Sequence, residues 1–150
     1  MIPKYRVFDK KRNMMIHEDD LLRIDFEYQV IEYQEIYPTS DGSPERDIYE
    51  VAFDDCVFMQ STSVHDVNSR EIHKDDIVKM HYFYEDRSSG AVREAEEEII
   101  GVVGIDVLGT YTECEGYKYY WLNYLELPEE ELEVIGNAYE NPEILEVQNG

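Results

Sequence analysis

The chain has 150 residues, enough for one ordinary domain or two small ones, and a hydrophobic fraction of 43% that can supply a core. Its net charge of -22 repels nucleic-acid phosphates and anionic membranes and attracts basic proteins and cations, so neither nucleic acid nor a membrane is an expected partner. The charge is uneven: residues 1–14 carry +4, residues 15–93 hold 7 bases against 19 acids (-12), and residues 94–150 hold one base against 15 acids (-14).

The start, Met1-Ile2-Pro3-Lys4-Tyr5, lacks the apolar run of a signal peptide, and no stretch approaches the ~20 apolar residues that span a bilayer. A cytoplasmic protein is therefore expected. Cys56 and Cys114 lie among apolar or aromatic residues without partners at metal-ligand spacing, which fits two reduced thiols. Lys4–Phe8 and Met14–His17 read as a hairpin around the polar turn 9–13. In Arg23–Val30 the apolar residues fall on even positions, then move to odd ones, which predicts a strand with a bulge or an end near Val30. Residues 38–44 form a loop by their proline, glycine and aspartate content, followed by strands at Ile48–Phe53 and Cys56–Ser61.

The next strand spans Ile77–Tyr84, with Val78, Met80, Tyr82 and Tyr84 as its better core face. Glu85–Arg93 reads as a loop, and the β-branched, glycine-interrupted Ile99–Ile105 as a twisted strand. Glu115-Gly116 connects hairpin arms Tyr111–Cys114 and Tyr117–Leu125. Pro128 opens a helical turn, Val134–Tyr139 is a final strand, and Asn141-Pro142 opens a second helical turn. The elements add up to an all-β fold with short helical turns.

Catalytic spacings are missing. Gly101-Val102-Val103-Gly104 is too short for a dinucleotide or phosphate loop, and no nucleophile elbow or His-Glu-x-x-His is present. Asp66-Val67-Asn68-Ser69-Arg70-Glu71 begins like a calcium loop, but Arg70 stands at its fifth position, Glu71 replaces its glycine and Ile77 its twelfth-position glutamate. Asp66 is thus expected to brace a turn, with Asp66→Ala lowering stability by only ~1 kcal/mol. His17, His65, His73 and His81 share no ligand spacing, and the adjacent acids Asp19-Asp20, Asp54-Asp55 and Asp75-Asp76 point to opposite faces of a strand. No cofactor or metal is expected. The aromatic series Tyr111, Tyr117, Tyr119, Tyr120, Trp121, Tyr124 suits core and oligomer packing better than base stacking, since Lys118 is the one base after Arg93, and Tyr111, Tyr117, Tyr119 and Trp121 are its candidate partner surface.

The central stretch Met59, Gln60, Ser61, Thr62, Asp66, Glu71, Ile72, Asp76, Ile77, Val78 matches Met-Gln-Ser-Thr-Gly-Leu-x-Asp-x-x-Gly-x-Glu-Ile-x-x-Gly-Asp-Ile-Val. The opening Pro3–Lys10 and the close Glu133–Leu145, which includes Ile135, Gly136, Asn137, Glu140, Asn141 and Pro142, extend the match. This pattern resembles the YopX-like proteins of phages and prophages. The departures lie in glycine: Ser63, Ser69 and Asp75 stand where the pattern has it. If those backbones take positive φ, serine is strained there and aspartate less so.

The resemblance implies an all-β fold with an SH3-like small barrel toward the C-terminus, and the expected division is an N-terminal β region (1–70), the barrel (71–141) and a C-terminal tail with a helical turn (142–150). It implies no catalytic residue, and the matched positions are expected to serve folding. The leading functional expectation is a non-enzymatic interaction module with a protein partner, or a homo-oligomer. The alternative is an acidic mimic that occupies the nucleic-acid site of a basic host protein. A metal-dependent enzyme built on clustered carboxylates ranks third.

Overall fold

In the computed structural model, which describes residues 4–149, the chain forms two compact units, Met1–Gln60 and Ser61–Gly150. The division lies inside a strand, upstream of the 70/71 boundary read from the sequence. Strand makes up 59% of the residues and helix 13%, which makes the fold all-β; one sheet curls into a half-barrel.

In the first unit, β1 (Tyr5–Asp9) pairs antiparallel with β2 (Met14–Ile16), as the polar turn predicts. Asp9, fully buried, organises that turn: its carboxylate accepts the N–H groups of Lys11 and Arg12 at 2.9 and 3.2 Å and the Tyr33 hydroxyl at 2.8 Å. Burial, with Asp9 beside it, pushes the Tyr33 hydroxyl well above its ordinary pKa. β3 (Leu21–Asp25), β4 (Val30–Pro38) and β5 (Pro44–Ala52) form a three-stranded sheet in that order. The expected strand Arg23–Val30 is corrected here, because the chain leaves β3 at Asp25. Its carboxylate takes the N–H groups of Glu27 and Tyr28, both at 3.0 Å, and Gln29 turns at φ 55°, closing a hairpin. The phase change in the sequence is therefore a turn between two strands.

β6 (Cys56–His65) begins in the first unit, where Cys56–Gln60 pair with β1. Val7, Ile16, Ile31, Tyr33, Val51 and Cys56 make that unit's core.

The second unit contains the rest of β6, β7 (Glu71–His73), β8 (Asp76–Asp86), β9 (Arg93–Asp106), β10 (Gly109–Cys114), β11 (Tyr117–Tyr120) and β12 (Leu132–Asn137). Five of them form a sheet in the order β11-β10-β9-β8-β12. Val78, Met80 and Tyr82 face the core with Ile72, Ile99, Val103, Trp121 and Leu132, as the alternation requires; Tyr84 lies beyond it, exposed. β9 starts earlier than expected, because Glu94–Glu98 pair with His81–Glu85. Glu115 and Gly116 both take positive φ, the conformation that suits a two-residue hairpin turn.

The second arm of that hairpin is shorter than predicted. It ends at Tyr120, and α1 (Trp121–Tyr124) turns the indole inward, where Nε1 donates to Thr112 Oγ1 at 2.9 Å. A buried indole N–H needs an acceptor, and continued strand alternation does not by itself provide one. α2 (Pro128–Glu131) follows, and α3 (Glu143–Asn149) closes the described chain.

Three non-glycine residues take the left-handed conformation at the positions where the family pattern has glycine: Ser63 (φ 65°), Ser69 (φ 63°) and Asp75 (φ 71°). A left-handed L-residue costs ~1–2 kcal/mol, partly offset by glycine's larger unfolded-state entropy. Ser63→Gly and Ser69→Gly should each stabilise the protein by ~0.5–1 kcal/mol, and Asp75→Gly by less, since aspartate tolerates this region. Urea titration checks this, and a loss of stability in either serine variant would refute it.

Candidate functional site

Of the ten matched residues of the central stretch, Ser61, Thr62, Asp66 and Asp76 hold backbone groups through side-chain hydrogen bonds. The ladder between β6 and β7 slips between Ser61 and His65, with Ser63 in the bulge. Hydroxyls take over the lost ladder bonds: Ser61 Oγ accepts Ser63 N–H at 3.0 Å, while Thr62 Oγ1 accepts Val64 N–H at 3.1 Å and donates to Ile72 carbonyl oxygen at 2.7 Å.

Asp66, 3% exposed, does more than brace its turn. Oδ1 accepts the N–H groups of Asn68 and Arg70 at 2.9 and 2.8 Å, and Oδ2 accepts Val134 N–H at 2.8 Å, joining the turn to β12. Asp76 is likewise buried and accepts His73 N–H at 2.8 Å. Met59, Ile72, Ile77 and Val78 are fully buried, Gln60 is exposed, and Glu71 is half-buried with its carboxylate 3.4 Å from His73.

The C-terminal motif closes a second turn. The Asn137 side chain accepts Tyr139 and Glu140 N–H groups and donates to the Glu140 carboxylate at 2.8 Å, while Asn141 Oδ1 receives Asn137 N–H. Gly136 follows a register shift in the β12–β8 ladder; a Cβ there would come within 3 Å of the Asn141 and Ile144 side chains. Ile135 is half-buried beside it, and Pro142 sits exposed just before α3.

The four aromatic residues proposed as a partner surface do not share one. Tyr111 lies opposite Tyr120 on one face of the β10–β11 hairpin, its ring covering Gly104, where a Cβ would come within 2.3 Å of a ring carbon. Tyr117 and Tyr119 stand on the other face, ring centroids 4.7 Å apart, and Tyr119 packs against the core with Tyr82 and Tyr124. Trp121 is buried. Tyr117 remains 55% exposed and bonds Tyr124 through their hydroxyls at 3.2 Å.

A different exposed surface appears at the outer end of the β8–β9 hairpin. Phe83, Tyr84 and Val92 are 52%, 43% and 61% exposed, and they line an open cleft with Glu85, Glu94 and Glu126. On the face that carries His81, Phe83 and Glu85, β9 presents Glu94, Glu96 and Glu98. His81 Nε2 lies 3.0 Å from the Glu96 carboxylate, and its ring meets Phe83 edge-on at 5.0 Å. The signal was in the sequence, as alternating glutamates beside an apolar run. It was obscured there because Glu94–Glu98 has helix propensity and the hairpin pairing is non-local.

Among the described residues, no three His, Cys, Asp or Glu side chains gather as a metal-binding group. Both cysteines are free; burial pushes the Cys56 thiol up to about 11 and raises that of Cys114. No helix among the described residues is long and apolar enough to cross a membrane.

The family model described as YopX protein matches residues 4–146. The chain belongs to the YopX family. A crystal structure of protein EF1440 from Enterococcus faecalis is similar to this YopX family member, with a TM-score of 0.58 and 23% identity over 97% of this chain and 99% of that one. At that identity the likeness shows a shared fold. No curated protein matches the sequence.

Proposed function

We propose that this YopX family member is a phage or prophage protein of the bacterial cytoplasm that acts by binding another protein and not by catalysis. We read its five-stranded sheet as the SH3-like small barrel that the family resemblance implies. The observation that carries the functional reading is the outer β8–β9 hairpin, where Phe83, 52% exposed, stands on the strand face that also carries Glu85, Glu94, Glu96 and Glu98. Apolar anchors within a charged rim are the anatomy of a protein interface, and the sign of the rim selects a basic partner.

The test is affinity capture from lysogenic host cells with the wild type and with a variant carrying Glu94→Lys, Glu96→Lys and Glu98→Lys. The wild type should recover a basic protein that is released in ~1 M salt, where the screening length falls to ~3 Å. The variant should not recover it. Equal recovery by both chains refutes the reading.

A second reading, an acidic mimic of nucleic acid, draws on the same row. Glutamates at every second strand residue repeat at ~6.7 Å, a regular file of negative charge like a phosphate backbone. Under this reading the chain displaces duplex DNA from its partner. A partner that holds both at once removes it.

A further inference from the structure

In the first unit, β5 ends the sheet β3-β4-β5, leaving one side without a neighbouring strand in that sheet, and residues 44–48, 50 and 52 are exposed. The direction of its backbone groups follows from the hairpin. Thr39 N–H donates to Ser43 at one end and Phe53 N–H to Gln29 at the other, both within the register of β4 and β5. In antiparallel pairing, hydrogen-bonded and non-bonded pairs alternate. Glu45, Asp47, Tyr49 and Val51 therefore bond toward β4, while Arg46, Ile48 and Glu50 turn N–H and C=O to the open edge.

These three residues form a palindrome of charge: Arg46 and Glu50 lie two residues to either side of Ile48. We propose that β5 pairs antiparallel with β5 of a second copy of this chain about a two-fold axis through Ile48, joining two three-stranded sheets into one. In that register Ile48 meets its own copy and exchanges both backbone bonds with it. Arg46 of each copy faces Glu50 of the other, so the contact is isologous and closed.

Side-chain neighbours within one chain favour this register. Glu50 sits opposite Glu32 on β4, whose carboxylate already holds Arg23, so an arginine on the open side meets Glu50 without a competing partner there. Ile48 lies diagonal to Ile36 on the same face; they are 51% and 57% exposed, and pairing extends this apolar strip into the other copy. Edge charges of one sign block strand addition, whereas Arg46 and Glu50 at equal distance from Ile48 select one register of it. The first unit also carries less of the acidity, with 7 bases and 14 acids in residues 1–60 against 6 and 21 in residues 61–150.

Sedimentation equilibrium on the full chain tests the proposal. The wild type should dimerise. Arg46→Glu and Glu50→Arg, each acting twice by symmetry, should each raise the dissociation constant by about tenfold or more. Both sites are exposed, and circular dichroism should show an unchanged fold. An equimolar mixture of the two variants should dimerise again, since every cross-strand pair is then complementary, and the double variant should restore self-association. A wild type that stays monomeric to millimolar concentration overturns the proposal. So does a dimer indifferent to Arg46→Glu, or a mixture that does not recover.

Discussion

Asp66→Ala is expected to lower the free energy of unfolding by roughly 3–5 kcal/mol, far beyond the ~1 kcal/mol expected of a turn residue. Its carboxylate accepts three backbone N–H groups, from Asn68, Arg70 and Val134, and the last lies 68 residues away. Each such bond to a charged acceptor contributes ~1.5–3 kcal/mol, reduced here because the three amides are partly buried and water can reach them once the carboxylate is gone. Asp66→Asn should lose about half as much, since Oδ1 can still serve the turn while the amide nitrogen faces the Val134 donor. Chemical denaturation of the two variants checks both magnitudes. An Asp66→Ala chain that melts with the wild type would show that the contact with β12 contributes nothing.

Val78→Asp should abolish cooperative folding of the second unit. Val78 is fully buried in the core cluster with Met80 and Ile72, and its backbone pairs with both Gly101 and Val134. A carboxylate placed there meets no cation and loses its hydration, a penalty of more than ~4 kcal/mol that rivals the whole stability of a small domain. Loss of the near-ultraviolet signal of Trp121 and the clustered tyrosines, or insolubility on expression, is the expected readout. A soluble variant with wild-type aromatic signal would place residue 78 outside the core.

Short-range features were legible before any coordinates. The alternation of Val78, Met80 and Tyr82, the Glu115-Gly116 turn and proline at the start of α2 follow from local sterics and period, and the positive φ at Ser63, Ser69 and Asp75 from the glycines of the family pattern. Misreadings arose where a local pattern had two solutions. The phase shift near Val30 fits a bulge as well as a turn, and the Asp25 carboxylate bound to two following amides decides it. The strand ending at Tyr120 depends on Thr112, nine residues from Trp121 and on another strand.

The sequence by itself determined the all-β class and the acidic field, which depend on composition and period, and the match to the family pattern pointed to the family and to Ser63, Ser69 and Asp75 as positions where that pattern has glycine. Only the tertiary structure decided what Asp66 bonds, which tyrosines face solvent, and that three alternate glutamates line an exposed hairpin beside Phe83. It also decided which backbone groups of β5 meet the open edge. Each of these depends on register between strands, and register is set by burial across the whole sheet, which no local window of residues encodes.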